Sequence, residues 1–193
     1  MKQENQRTTF LNRASIIWIT SLVAADQIIK LLIARFLIDA HFTIIPHVFT
    51  FQTTQNIHLG WIWNMLDFMM PLHFAVIISV VAIFVMIIIH RYLVFLTLKW
   101  EKYHSLPTIS LVLVLSTGFC KLIDDIFWGG SLDYIQLFDW FIFDLKDVYG
   151  TVAVLVMLYF SITLEVYSRK LPKEKRKELR LLNWIKLGFP TRH

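Results

Sequence analysis

Apolar residues fall in four long blocks, and most of the charge lies outside them. Residues 14–38 (ASIIWITSLVAADQIIKLLIARFLI) carry charge only at Asp26, Lys30 and Arg35, and residues 72–90 (LHFAVIISVVAIFVMIIIH) contain no Asp, Glu, Lys or Arg. A third block, 103–120 (YHSLPTISLVLVLSTGFC), continues through Lys121 to Asp124, and the fourth is 148–164 (VYGTVAVLVMLYFSITL). A helix rising about 1.5 Å per residue needs about 20 residues to cross a hydrocarbon core of about 30 Å. Each block meets or nearly meets that with its flanks. Backbone hydrogen bonds must also close inside the segment in lipid, which selects helix. The pattern predicts helices over about 14–38, 68–90, 103–124 and 147–165. The first block does not read as a signal peptide: it is long, holds ionisable residues in its middle and lacks a small-x-small site before a polar segment.

The segments between the helices differ in kind. In 36–71, the stretch His47-Val-Phe-Thr-Phe-Gln-Thr-Thr-Gln-Asn56 alternates β-branched or aromatic residues with polar ones, so it predicts one or two short strands. The aromatic stretches Leu59-Gly-Trp-Ile-Trp63 and Leu66-Asp-Phe-Met-Met70 suit an interfacial anchor or a platform beside a lipidic substrate. The segment 121–147 interleaves aspartates with bulky apolar residues, and Gly129-Gly130 supplies a turn.

Composition agrees with a membrane protein: 56% of the residues are hydrophobic and 17% charged, against about 25% charged in soluble domains. One cysteine rules out an internal disulfide and a multi-thiolate zinc site. The seven histidines form no H-E-x-x-H or similar ligand pattern, and neither metal nor cofactor is expected. Of the 19 basic residues, fifteen lie in 1–13, 91–102 and the tail from 166. The segment 36–71 has none, and 122–147 has six aspartates against one lysine. The positive-inside bias then places both termini and the middle connection in the cytoplasm. The fold class expected is an all-α integral membrane protein: four transmembrane helices with a small extracytoplasmic β element. Residues 1–165 form the membrane domain and 166–193 a basic cytoplasmic tail. The net charge of +5 reports topology and attraction to anionic lipid, and no nucleic-acid partner is expected. In the tail, Leu181, Leu182, Trp184, Ile185 and Leu187 suit a short amphipathic helix on the inner leaflet, with a cytoplasmic protein partner as the alternative.

Two sets of polar residues carry candidate chemistry. Asp26 and Lys30, four apart, share a face of the first helix, either as a structural ion pair or as a polar face turned to the acidic segment. Asp133 and Asp147 each border apolar sequence at the membrane surface, where a carboxylate needs a partner or a proton. Two carboxyl groups sharing a proton can activate water and protonate a leaving amine. Six aspartates offer many pairings, and spacing does not choose among them.

These residues resemble the motifs of bacterial lipoprotein signal peptidase, or signal peptidase II, over roughly 14–165. The family's D-Q-x-x-K stands intact as Asp26-Gln27-Ile28-Ile29-Lys30, and its N-x-G-A-A-F aligns with Asn56-Ile57-His58-Leu59-Gly60-Trp61. Its G-N-L-x-D-R aligns with Cys120-Lys121-Leu122-Ile123-Asp124-Asp125, keeping the aspartate while asparagine becomes Lys121 and arginine becomes Asp125. Its G-x-V-V-D-F aligns with Gly129-Gly130-Ser131-Leu132-Asp133-Tyr134, and its F-N-L-A-D with Phe143-Asp144-Leu145-Lys146-Asp147.

The resemblance implies an intramembrane aspartyl endopeptidase of the bacterial cytoplasmic membrane. Such an enzyme acts at the extracytoplasmic face, with Asp133 and Asp147 catalytic, and cuts a diacylated prolipoprotein on the amino side of its lipidated cysteine. Asp26, Lys30, Asn56, Lys121, Asp124, Asp125, Asp144 and Lys146 would bind substrate or support the site. His58 reads as a space-filling replacement. Lys121 and Lys146 near the dyad would lower the pKa of its proton-carrying carboxyl, and Asp125 and Asp144 would offset them by pairing. The altered motifs also fit two alternatives: a weak or inactive paralogue that binds a lipoprotein, lipid or membrane protein, or a peptidase of changed substrate preference.

Overall fold

The computed structural model describes residues 12–57, 71–97, 105–172 and 181–188. His58, the aromatic stretches of 59–70, Lys2, Arg7, Lys99, Lys102 and the basic run 173–180 lie outside the described residues.

Four helices are long and apolar enough to cross a membrane. They are α1 (Arg13–Phe36), α2 (Leu72–Thr97), α3 (Ser105–Ile123) and α4 (Leu145–Ser168). The second apolar run, read from sequence as ending at His90, continues as helix to Thr97 and takes Arg91 with it. Many of their large apolar side chains face outward, among them Trp18, Phe84 and Ile162, each more than 60% exposed, as lipid contact requires. Asn12 caps α1, its side chain accepting from the Ser15 N–H at 2.7 Å.

α3 runs directly into a π-helical turn, Asp124–Trp128, which ends at Gly129 in a left-handed conformation (φ 69°). A Cβ on the next residue, Gly130, would stand 2.7 Å from the Asn56 carbonyl oxygen, so only glycine lets the chain pass this close.

Four antiparallel strands follow one another in the sheet: β1 (His41–Ile45), β2 (Phe49–Asn56), β3 (Ser131–Leu137) and β4 (Phe141–Phe143). Of the one or two strands expected within 47–56, the structure forms β2, while its partner β1 lies just before that stretch. β3 and β4 form from the acidic segment, which sequence left without strands. Asn56 pairs with Ser131, Thr54 with Asp133, and a bulge interrupts the β2–β3 register between Phe51 and Thr54. Ile33 of α1 packs with Phe51, Leu132 and Tyr134, fixing the sheet on the end of α1. At the opposite end, a short helix α5 (Leu181–Lys186) seats Trp184 among Leu93, Phe95, Leu96 and Phe160. Its Trp184 is buried in protein, while Leu181, Leu182, Ile185 and Leu187 are exposed, so the tail helix both docks and presents an apolar face.

Candidate active site

The sheet, the π-helical turn and the first turns of α4 converge on the C-terminal half of α1, and the ionisable residues meet there. α4 begins with a reciprocal cap. Asp144 Oδ1 accepts from the Asp147 N–H and Asp147 Oδ2 from the Asp144 N–H, both at 3.3 Å. The next free N–H of the helix, on Lys146, donates to Asp26 Oδ1 at 3.1 Å. Asp26 therefore ties α1 to the start of α4, a task beyond its ion pair with Lys30.

Lys30 is fully buried and meets three carboxylates: Asp26 at 2.9 Å, Asp124 at 2.6 Å and Asp144 at 2.7 Å. Both sequence readings of the Asp26–Lys30 pair hold at once, since it is an ion pair and it faces the acidic segment. Lys146, also buried, lies 2.5 Å from Asp144, 3.4 Å from Asp124 and 3.6 Å from Asp133. Burial alone would raise the Asp144 carboxyl, but the ammonium groups of Lys146 and Lys30 outweigh it and hold Asp144 below the usual carboxylate range.

Asp133 projects from β3, 2% exposed, and its Oδ2 accepts from Asn56 Nδ2 at 3.0 Å. Its Oδ1 accepts no hydrogen bond among the described residues. Burial pushes its carboxyl up to about 7. Lys146 acts downward, as sequence anticipated, but burial wins. Asp147 is exposed. Oxygens of Asp133, Asp144 and Asp147 lie within 4.8 Å of one another. One residue is thus a buried carboxyl raised toward neutrality, and its neighbour opens outward.

The two substituted motifs resolve into pairs. Lys121 Nζ lies 2.6 Å from Asp125 Oδ1, one turn along α3 and its π extension, and Lys146 pairs with Asp144. Lys121 meets Asp125 and sits outside the lysine–carboxylate cluster that surrounds Asp124 and Asp144.

Two carboxylate triplets, Asp26–Asp124–Asp144 and Asp133–Asp144–Asp147, have the spacing a metal ion would accept. Lys30 lies within hydrogen-bond distance of every member of the first, and Lys146 reaches two members of the second, so ammonium groups already supply the positive charge.

Sequence passed over Gln27 as a site residue although it stands inside D-Q-x-x-K. Its Nε2 donates to Asp26 Oδ2 at 3.1 Å and to Asp124 Oδ1 at 3.0 Å, and its Oε1 accepts from Trp128 Nε1 at 3.2 Å. It links α1 to the π-helical turn. Tyr149, whose hydroxyl donates to the Leu22 carbonyl at 3.3 Å, braces α4 against α1 one turn deeper and has no comparable sequence signal.

Comparison with known proteins gives one family and one fold. The family model described as Signal peptidase (SPase) II matches residues 18–163. A structure described as a bacterial membrane enzyme, solved in meso at 2.3 Å resolution, superposes with a TM-score of 0.62 at 24% identity, covering 83% of this chain and 93% of that one. A second bacterial membrane enzyme, solved in meso at 1.9 Å, gives a TM-score of 0.57 at 23% identity, covering 76% and 90%. No curated protein matches significantly in sequence. With the family model spanning most of the chain, and a buried aspartate–lysine cluster where its membrane helices meet the sheet, the chain belongs to the signal peptidase II family of membrane aspartyl peptidases.

Proposed function

We propose that the protein removes the signal peptide of diacylglyceryl-modified prolipoproteins, cutting on the amino side of the lipidated cysteine, with Asp133 and Asp147 as the catalytic pair. The observation that carries this reading is the juxtaposition of Asp133, buried and raised to about 7, with Asp147, exposed, their carboxylate oxygens within 4.8 Å. A water between them is deprotonated by the ionised member, Asp147, as its oxygen attacks the scissile carbonyl. Asp133, favoured by burial as the proton holder, donates to the carbonyl oxygen. When the tetrahedral intermediate collapses, the C–N bond breaks, the departing amine takes the proton held by Asp147, and one hydroxyl of the gem-diol returns its proton to Asp133 as the new carboxyl forms.

The positive-inside bias puts both termini and the 91–102 connection in the cytoplasm, which turns the sheet and the carboxylate pair to the extracytoplasmic face of a bacterial cytoplasmic membrane. There the signal helix would lie against α1, α3 and α4, with the substrate's acyl chains in the bilayer. Asn56 orients Asp133, while Asp124 and Asp144 hold the two lysines that tie α1 to α4. Asp26, Lys30, Lys121 and Asp125 support these elements from behind.

The test is complementation of cells depleted of their own lipoprotein signal peptidase. Wild type should clear accumulated prolipoprotein, and Asp133→Asn should leave it uncleaved. Clearance by the Asp133→Asn variant would remove Asp133 from the catalytic pair, and failure of wild type to clear it would instead favour a binding role for this fold.

A further inference from the structure

Lys30, Asp124, Lys146 and Asp144 close a ring of alternating charge. Lys30 meets Asp124 Oδ2 at 2.6 Å and Asp144 Oδ2 at 2.7 Å, and Lys146 meets the same two oxygens at 3.4 and 2.5 Å. Its members come from four places: α1, the π-helical turn, the α4 cap and the first turn of α4. Two ammonium groups face two carboxylates, so the ring is neutral, and its Lys146 corner lies 3.6 Å from Asp133 Oδ1.

We propose that Lys146 is a positioning residue for the Asp133–Asp147 pair: paired with Asp144 in this neutral ring, it offsets that carboxylate at Asp133, so the pair keeps a single proton that it can still transfer. The proposal rests on the function assigned above.

Asp144 and Lys146 put one carboxylate and one ammonium beside Asp133. A lone ammonium 3.6 Å from Asp133 would drive off the shared proton, and a lone extra carboxylate would hold that proton too tightly to transfer. Introduced as a pair, they cancel at Asp133. Among the described residues, the other groups facing Asp133 are Asn56 from β2 and Asp147 from α4, and on the far side of the ring Lys30 also holds Asp26 of α1.

The experiment measures the alkaline limb of the pH profile of kcat/KM on a diacylated peptide for wild type, Lys146→Ala, Asp144→Asn and the double variant Asp144→Asn/Lys146→Ala. In parallel, the protonated carboxyl of Asp133 is titrated by infrared spectroscopy, assigned by its loss in Asp133→Asn. Removing Lys146 alone should move the limb and the infrared midpoint up by about one pH unit, and removing the Asp144 charge alone should move both down by about one. The double variant should return both to within a few tenths of a unit of wild type, and Lys146→Arg should keep wild-type values. Single variants that leave both readouts unmoved, or a double variant no nearer wild type than the worse single, would overturn the proposal. If wild type cuts no substrate while the infrared midpoints still move as stated, the peptidase reading fails and the charge-balancing role of Lys146 stands.

Discussion

Asn56, the last residue of β2, donates through Nδ2 to Asp133 Oδ2 of β3 at 3.0 Å, and the passage of Gly130 against the Asn56 backbone fixes the two strands in that register. This hydrogen bond favours the ionised form of Asp133 and holds the carboxyl in one rotamer. Replacing Asn56 by alanine should lower kcat by about 10- to 100-fold, the worth of a hydrogen bond of about 1.5–3 kcal/mol to a charged group. KM should change little. Steady-state kinetics on a lipidated peptide would check the split, and an unchanged kcat would remove Asn56 from the site.

The raised Asp133 carboxyl has a stability consequence of definite sign. Its folded value of about 7 exceeds the ordinary 3.8, so between those values the folded protein holds a proton that the unfolded chain releases. The stability this contributes is full below the ordinary value and is lost as pH rises through about 7. Over that interval the melting temperature of wild type should fall relative to Asp133→Asn, with the two running parallel at higher pH. Thermal melts in detergent across the interval test it, and curves parallel throughout would contradict a raised Asp133.

Lys121 and Asp125 make a second, separate pair, and Asp125 Oδ2 has no hydrogen-bond partner among the described residues. Lys121→Ala should therefore strand a buried carboxylate. Loss of one member of a buried pair costs about 3–5 kcal/mol, and partial solvent contact at Lys121 puts the expected loss toward the lower end. Lys121→Ala/Asp125→Asn should recover most of it, as a double-mutant cycle on melting temperature would show. Additive losses would mean that the two substitutions do not compensate each other.

Much of this was legible in sequence because the bilayer imposes a simple code. Long uncharged runs gave four helices, and the polar exceptions Asp26 and Lys30 marked the face of α1 that meets the site. Strands β3 and β4 were not legible, because Asp133, Asp139 and the bulky aromatics around them break the alternation that reveals a strand. The site was legible only in part. Asp144 and Asp147 stand three apart in the chain, yet that their two carboxylates cap each other's backbone depends on α4 starting at Leu145. Nor does spacing reveal that Lys30 and Lys146 share the same two carboxylates, since that needs α1, the π-helical turn and α4 in contact. Trp184 likewise reads as half of an amphipathic face, whereas Tyr92 of α2, with its ring centroid 5.3 Å away, helps enclose it.

The docking of that tryptophan makes a prediction remote from the chemistry. Trp184→Ala removes the anchor of α5 from a pocket where it is 1% exposed. Limited trypsin digestion should then cleave the basic tail at least several-fold faster than in wild type, while peptidase activity stays unchanged. Equal rates of tail cleavage would show that contacts other than Trp184 hold the helix.

Product mapping on a purified system bears most directly on the central claim. Wild type, Asp133→Asn and Asp147→Asn, each shown to be folded by its melting profile, are incubated with a diacylglyceryl-modified prolipoprotein, and the products are weighed by mass spectrometry. The account predicts that wild type releases the signal peptide with the lipidated cysteine as the new amino terminus, and that both variants leave the substrate intact. Cleavage by either variant at the wild-type rate, or no cleavage by folded wild type, would contradict it.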